Sequence, residues 1–250
     1  MSGHSKWKTI QHKKGAADAK RGKIFSKLSK ELMVAARKGS DPSANPTLRA
    51  VIQKAKSVNM PSDNVIRAIK KGAGELEGVI FEEICYEGFV GGVALIVQGL
   101  TDNKNRAASE IRHIFGRFNT DFAISGSVMR QFVRKGQIIV EGSTVEEDKL
   151  MEIVLNAGAE DMIKDGDDYE VTTEPVAFAD VCEAMEKAGI KTVSAEVSLI
   201  PLAQTKVTDK AKAQSVLNFV AALEDNDDVQ NVYTNMDIDD AVLKELEKTA

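Results

Sequence analysis

The chain is poor in the residues that most often mark metal centres, redox sites and disulfide scaffolds. Its 250 residues include two cysteines, three histidines and one tryptophan, and aromatics make up 5%. Two cysteines as far apart as Cys85 and Cys182 make no disulfide framework. Both fall in apolar-patterned segments and read as small buried hydrophobes. His4, His12 and His113 show no metal-ligand spacing with them, so no metal site is expected. No apolar run approaches the ~20 residues that span a bilayer, and no apolar signal core opens the chain. A cytoplasmic protein with no membrane partner is expected.

Catalytic patterns are equally scarce. Gly72, Gly74 and Gly78 miss the dinucleotide spacing and follow a predicted helix rather than a strand. Glu82 and Glu83 would point to opposite faces of a strand, so they do not converge. Residues 225–228 lack the ligand order and glycine of a calcium loop and read as an acidic helix-to-strand connection. With no nucleophile, base and orienting group in one place, the chain reads as a non-enzyme without a small-molecule cofactor.

What the sequence does have is a polarity of charge. The net charge of -5 is the sum of two opposed parts. Residues 1–74 hold 17 Lys and Arg against 4 Asp and Glu, a charge of +13; the remainder holds 16 against 34, or -18. Such a division points to a basic end that meets a polyanion and an acidic body repelled by it. The densest cations are Lys6, Lys8, Lys13, Lys14, Lys20, Arg21, Lys23, Lys27 and Lys30. Phosphate contacts made by such residues release counterions and weaken steeply with salt. Trp7 lies between Lys6 and Lys8, near His4 and His12, where an indole could stack on a base. Further candidate nucleic-acid contacts are Arg67, Lys70 and Lys71 at the end of a predicted helix, and Lys104 and Arg106 in a second basic group. Each group also has a plainer reading, as a solvated face or as cations complementing a helix dipole. No helix-turn-helix spacing is present, which favours recognition of backbone and shape, in DNA or in structured RNA such as ribosomal RNA. The competing reading is a protein-interaction adaptor whose acidic domains bind a basic partner.

Periodicity predicts an α+β fold. Residues 1–21 read as a flexible arm. Three helices follow: about 22–38, one opened by Asn45-Pro46, and one from Pro61-Ser62 to Gly72. A hairpin around residues 88–92 comes next, then a helix capped by Asp102 and a strand near 128–133. Residues 137–200 read strand, helix, strand, strand, helix, strand, the split β-α-β order. Its first helix would be opened by a capping box from Ser143 and Glu146 or from Thr144 and Glu147. A helix near 209–223 and a strand near 229–234 then complete the interrupted middle domain. The expected division is 1–78 for arm and three-helix bundle, and 79–134 plus 206–238 for a discontinuous α/β sandwich. Residues 135–205 would be a ferredoxin-like α/β sandwich inserted into it, and 239–250 an acidic tail.

The residues also form a recognisable series. It runs Gly3-His4-Ser5-Lys6-Trp7, Asp18-Ala19-Lys20-Arg21-Gly22-Lys23, Asn45-Pro46, Tyr86-Glu87-Gly88 and Thr101-Asp102-Asn103-Lys104-Asn105-Arg106. It continues with Glu110-Ile111-Arg112-His113, Gly126-Ser127-Val128, Ser194-Ala195-Glu196-Val197 and Asp227-Asp228-Val229-Gln230. Over nearly its whole length the chain resembles the YebC/PmpR family, which includes a bacterial transcriptional regulator and a mitochondrial translational activator. The resemblance implies a three-domain α+β fold without known enzymatic activity. It implies either DNA-binding transcriptional regulation or a ribosome-associated role that eases peptide-bond formation at sequences such as proline runs. Its nucleic-acid contacts would fall on Lys6, Trp7, Lys13, Lys14, Lys20, Arg21 and Lys23, and on Lys104 and Arg106. Two loops depart from the family pattern: Gly88-Phe89-Val90-Gly91-Gly92 lacks the family's proline, and residues 119–125 lack its glycine-rich approach to Gly126.

Overall fold

The structure, a computed structural model, describes residues 18–249. It begins with three helices, α1 (Asp18–Ala36), α2 (Pro46–Ser57) and α3 (Ser62–Gly72). Asn45 organises the first turn between them. Its Oδ1 accepts from the Leu48 amide at 3.1 Å, which caps α2, and its Nδ2 donates to the Ala35 and Gly39 carbonyls at 2.9 and 2.8 Å, which ties off α1. Leu28, Leu32, Leu48, Ala55 and Ala68 fill the bundle core. Gly72 presses the end of α3 onto α1, where a Cβ would lie 2.7 Å from the Met33 Cα. Helix α1 includes Lys20 and Arg21, which were expected in the arm.

Strands β1 (Glu82–Val90) and β2 (Val93–Thr101) form the expected hairpin. Gly91 and Gly92, at φ +56° and +81°, supply the left-handed turn that two-residue hairpins favour. Helix α4 (Lys104–Arg117) follows; its cap is Asn103, whose side chain accepts from the Arg106 amide, rather than Asp102. The chain next builds a four-stranded antiparallel sheet. Its elements are β3 (Phe132–Glu141), α5 (Glu147–Asn156), β4 (Ala159–Asp165), β5 (Asp168–Thr173), α6 (Phe178–Lys187) and β6 (Ser194–Pro201). The strand order β4-β5-β3-β6 is the ferredoxin-like arrangement. The chain then returns through β7 (Thr205–Val207), α7 (Lys210–Glu224), β8 (Val229–Thr234), β9 (Met236–Ile238) and α8 (Asp240–Thr249). Strand β8 pairs with β2, giving the order β1-β2-β8, and β7 pairs with β9 in parallel. The fold is therefore the α+β insertion expected from the element order.

Strand β2 is buried on both faces. One side joins Phe115, Phe219 and Leu223 in the core under α4 and α7. On the other, Ala94 and Ile96 meet Val128, Phe132 and Leu199, which seats the inserted sheet on the middle one. Four further local expectations differ. The segment read as a strand near 128–133 is a 3-10 turn (Met129–Gln131) leading into β3, so the middle sheet has three strands. No capping box opens α5: Glu146 is the cap residue without a side-chain bond, and the Thr144 hydroxyl donates to the Glu141 carbonyl at 2.6 Å. The segment read as an acidic tail carries Val242, Leu243 and Leu246, all buried in the middle core. Cys85 is exposed on β1 rather than buried, while Cys182 is half-buried and its thiol is pushed up to about 11 by that burial. Among the described residues no helix is long and apolar enough to cross a membrane.

Candidate nucleic-acid interface

In α1, Lys23, Lys27 and Lys30 recur at helical spacing on a stripe separate from the apolar one. The fold lays this stripe against the end of α7 and the loop 225–228. Lys23 pairs with the Asp225 carboxylate and donates to its carbonyl at 3.2 Å. Lys27 donates to the Glu224 carbonyl at 2.8 Å. Lys30 donates to the Asp227 carbonyl at 2.8 Å and pairs with Asp228 at 2.8 Å. The last turn of α7 has no basic residue of its own, so cations from α1 meet the negative end of its dipole.

Asp228 is the hub of this contact. Its side chain is 5% exposed and accepts from Lys30, from the Thr101 hydroxyl at 2.9 Å and from Arg106 at 2.8 Å. Burial pushes its carboxyl up, but the bonds from Lys30, Arg106 and Thr101 outweigh it and hold the group below the usual carboxylate range. Arg106 also pairs with Asp102, and its own pKa is raised by these two acids, Asp228 first. Lys104 pairs with Glu82. The basic group on α4 is thus tied into the body.

The cations on α3 differ. Arg67 and Lys70 are exposed and Lys71 half-exposed, and none of their side chains makes a hydrogen bond or ion pair among the described residues. Lys71 and Arg37 border a groove of about 330 Å³ beside Met33 and Ile80. Arg21 is exposed on α1, and Lys20 lies in the same helix. Lys6, Trp7, Lys8, His12, Lys13 and Lys14 lie outside the described residues. The structure therefore groups Lys23 and Arg106 with the acidic loop, Lys27 with the end of α7, Lys104 with Glu82 on β1, and Arg67, Lys70 and Lys71 on an open face of α3.

A second carboxylate was not singled out by sequence reasoning. Glu87, buried on β1, accepts from the backbone amides of Gly126 at 2.6 Å, Val128 at 2.6 Å and Met129 at 2.9 Å. Burial pushes it up, and these three amides hold it below its ordinary value. It fixes the base of a loop whose Phe122 stacks on Tyr86 with ring centroids 4.7 Å apart. The only sequence signal was the pair of motifs themselves, Tyr86-Glu87-Gly88 and Gly126-Ser127-Val128, which meet here. In the same way Thr101 and Arg106 of one motif meet Asp228 of another.

Comparison with known proteins places the chain in a family. Residues 5–75 match the TACO1/YebC protein N-terminal domain, and residues 81–236 match the TACO1/YebC second and third domain. The chain belongs to the TACO1/YebC family. Similar relatives include a probable transcriptional regulatory protein of Desulfatibacillum aliphaticivorans, 56% identical over 97% of this chain and 99% of that protein. Another, from Geobacter sulfurreducens and with the same descriptive name, is 53% identical over 98% and 100% of the two chains. The crystal structure of a conserved hypothetical protein from Aquifex aeolicus has a TM-score of 0.80 and 44% identity, covering 89% of this chain and 93% of that one. The likeness to this TACO1/YebC relative thus extends from sequence to fold.

Proposed function

We propose that this protein is a non-enzymatic, nucleic-acid-binding regulator of gene expression. Residues 1–74 make the contact and the acidic remainder sets its orientation. The observation that carries this reading is the charge division, +13 against -18, with Arg67, Lys70 and Lys71 left open on α3. Cations not consumed by internal pairs are those able to neutralise phosphates. Lys13, Lys14, Lys20 and Arg21 extend this basic end. The target is the sugar-phosphate backbone. Duplex DNA is the form that the relatives' transcriptional names favour, while structured RNA offers the same phosphate chemistry.

The test is anisotropy titration of full-length protein with a DNA duplex and with a structured ribosomal RNA fragment, at several salt concentrations. Wild type is expected to bind tightly in dilute buffer. Replacing Lys13, Lys14, Lys20 and Arg21 with glutamine removes most of that affinity and flattens the salt slope by roughly 0.7–0.9 for each phosphate no longer neutralised. Replacing Arg67, Lys70 and Lys71 with glutamine does so to a lesser degree. An unchanged slope in both variants overturns the assignment. Enrichment of ribosomal RNA over promoter DNA in cells selects the translational form of the reading.

A further inference from the structure

The lysine stripe of α1 is occupied in this structure. Its oxygen partners include the Asp225 and Asp228 carboxylates and the Glu224, Asp225, Asp227 and Leu100 carbonyls. A phosphate chain offers lysine the same kind of acceptor. The contact has two tiers. At the inner one Lys30 and Asp228 have side chains 15% and 5% exposed, and Asp228 is held from two further directions by Thr101 and Arg106. At the outer one Lys23 and Asp225 are 46% and 74% exposed. Exposed pairs are weak and are screened by salt; buried, multiply bonded ones persist.

We propose that loop 225–228 is an internal competitor for nucleic acid. It covers Lys23, beside the α7 end that holds Lys27, and a bound phosphate chain displaces it from Lys23 while the Lys30–Asp228 tier keeps the bundle on the body. This rests on the nucleic-acid reading above and adds that the basic face is autoinhibited by the protein's own acidic loop. Asp227 belongs to the competitor because it is exposed within the loop and its carbonyl holds Lys30; the Lys23 ammonium is raised by its hydrogen bond to Asp225 first, then by the charges of Asp225 and Asp227.

The test is a cycle of variants in full-length protein, titrated with a DNA duplex and a structured RNA. Asp225→Asn with Asp227→Asn leaves the inner tier intact. It should tighten binding roughly three- to tenfold in dilute buffer and steepen the salt slope by about one, as the freed Lys23 reaches a phosphate. Glu152→Gln with Glu186→Gln makes the same change in net charge at exposed positions of the inserted domain and should alter affinity far less. Lys23→Gln with Lys27→Gln should cost little in wild type and several-fold in the Asp225/Asp227 background. Wild-type binding combined with an additive cycle, or with equal gains from the two acid-neutralised variants, overturns the competitor and leaves the functional reading intact. Absence of binding by wild type and by every variant overturns both.

Discussion

Replacing Asp228 with alanine strikes the point where four parts of the chain meet: α1, the end of β2, the start of α4 and the entry to β8. The carboxylate removed is buried and serves Lys30, Thr101 and Arg106. Breaking a buried pair from one side typically costs about 3–5 kcal/mol, because the surviving charge keeps its desolvation penalty. Lys30 would still reach the Asp227 carbonyl at 2.8 Å and the Leu100 carbonyl at 3.4 Å, so the lower end applies. We expect a loss of about 3 kcal/mol, equivalent at this chain length to roughly 6–12 °C in Tm. Asp228→Asn keeps an acceptor for Thr101 and should lose less, about 1–2 kcal/mol. Urea and thermal unfolding measure both, and a cycle with Lys30→Met isolates the pair, with an expected coupling of about 1–2 kcal/mol. The folded Asp228 pKa lies below the ~3.9 of an unfolded aspartate, so its contribution is complete above about pH 4 and disappears as pH falls through the folded value. A loss under about 1 kcal/mol for Asp228→Ala, or a cycle without coupling, would refute the hub.

Three further outcomes follow from close packing and bonding elsewhere. Glu87→Gln should cost about 2 kcal/mol and speed amide exchange at Gly126, Val128 and Met129 while leaving the bundle amides unchanged. Like Asp228, Glu87 is depressed in the fold, so its contribution fades as pH drops below about 4.3. Gly99→Ala would drive a Cβ into the Asp228 backbone carbonyl, which cannot rotate aside; unfolding should report a loss of about 1–3 kcal/mol. Leu246→Ala should cost about 3 kcal/mol in a urea melt, because this side chain is 1% exposed within the middle core; a surface-like effect under 0.5 kcal/mol would return α8 to the status of a tail.

Local chemistry makes much of this legible from sequence. Asn45-Pro46 opens α2 as read, and β8 spans Val229–Thr234 as read, because a cap with its proline and an alternating strand are decided within a few residues. The sequence pattern divides strand β3 in two because Arg134, Lys135 and Gly136 interrupt its apolar run. The glycine is there for space: a Cβ at Gly136 would lie 2.6 Å from the Phe178 ring. The acidic appearance of the last segment hides its buried face. The Lys30–Asp228 contact has no local signal, since the two residues are 198 apart and each reads alone as an ordinary surface charge. Chain order shows that the middle domain is interrupted; only the folded chain shows that its return loop lands on the basic helix.

The most direct test of the central claim is photocrosslinking of the full-length protein to bound DNA or RNA, followed by mass-spectrometric mapping of the modified residues. The account predicts crosslinks concentrated in residues 1–74, on the basic segment before α1 and on the open face of α3 around Arg67, Lys70 and Lys71. Crosslinks confined to residues 81–238, with the basic end unmarked, would contradict it.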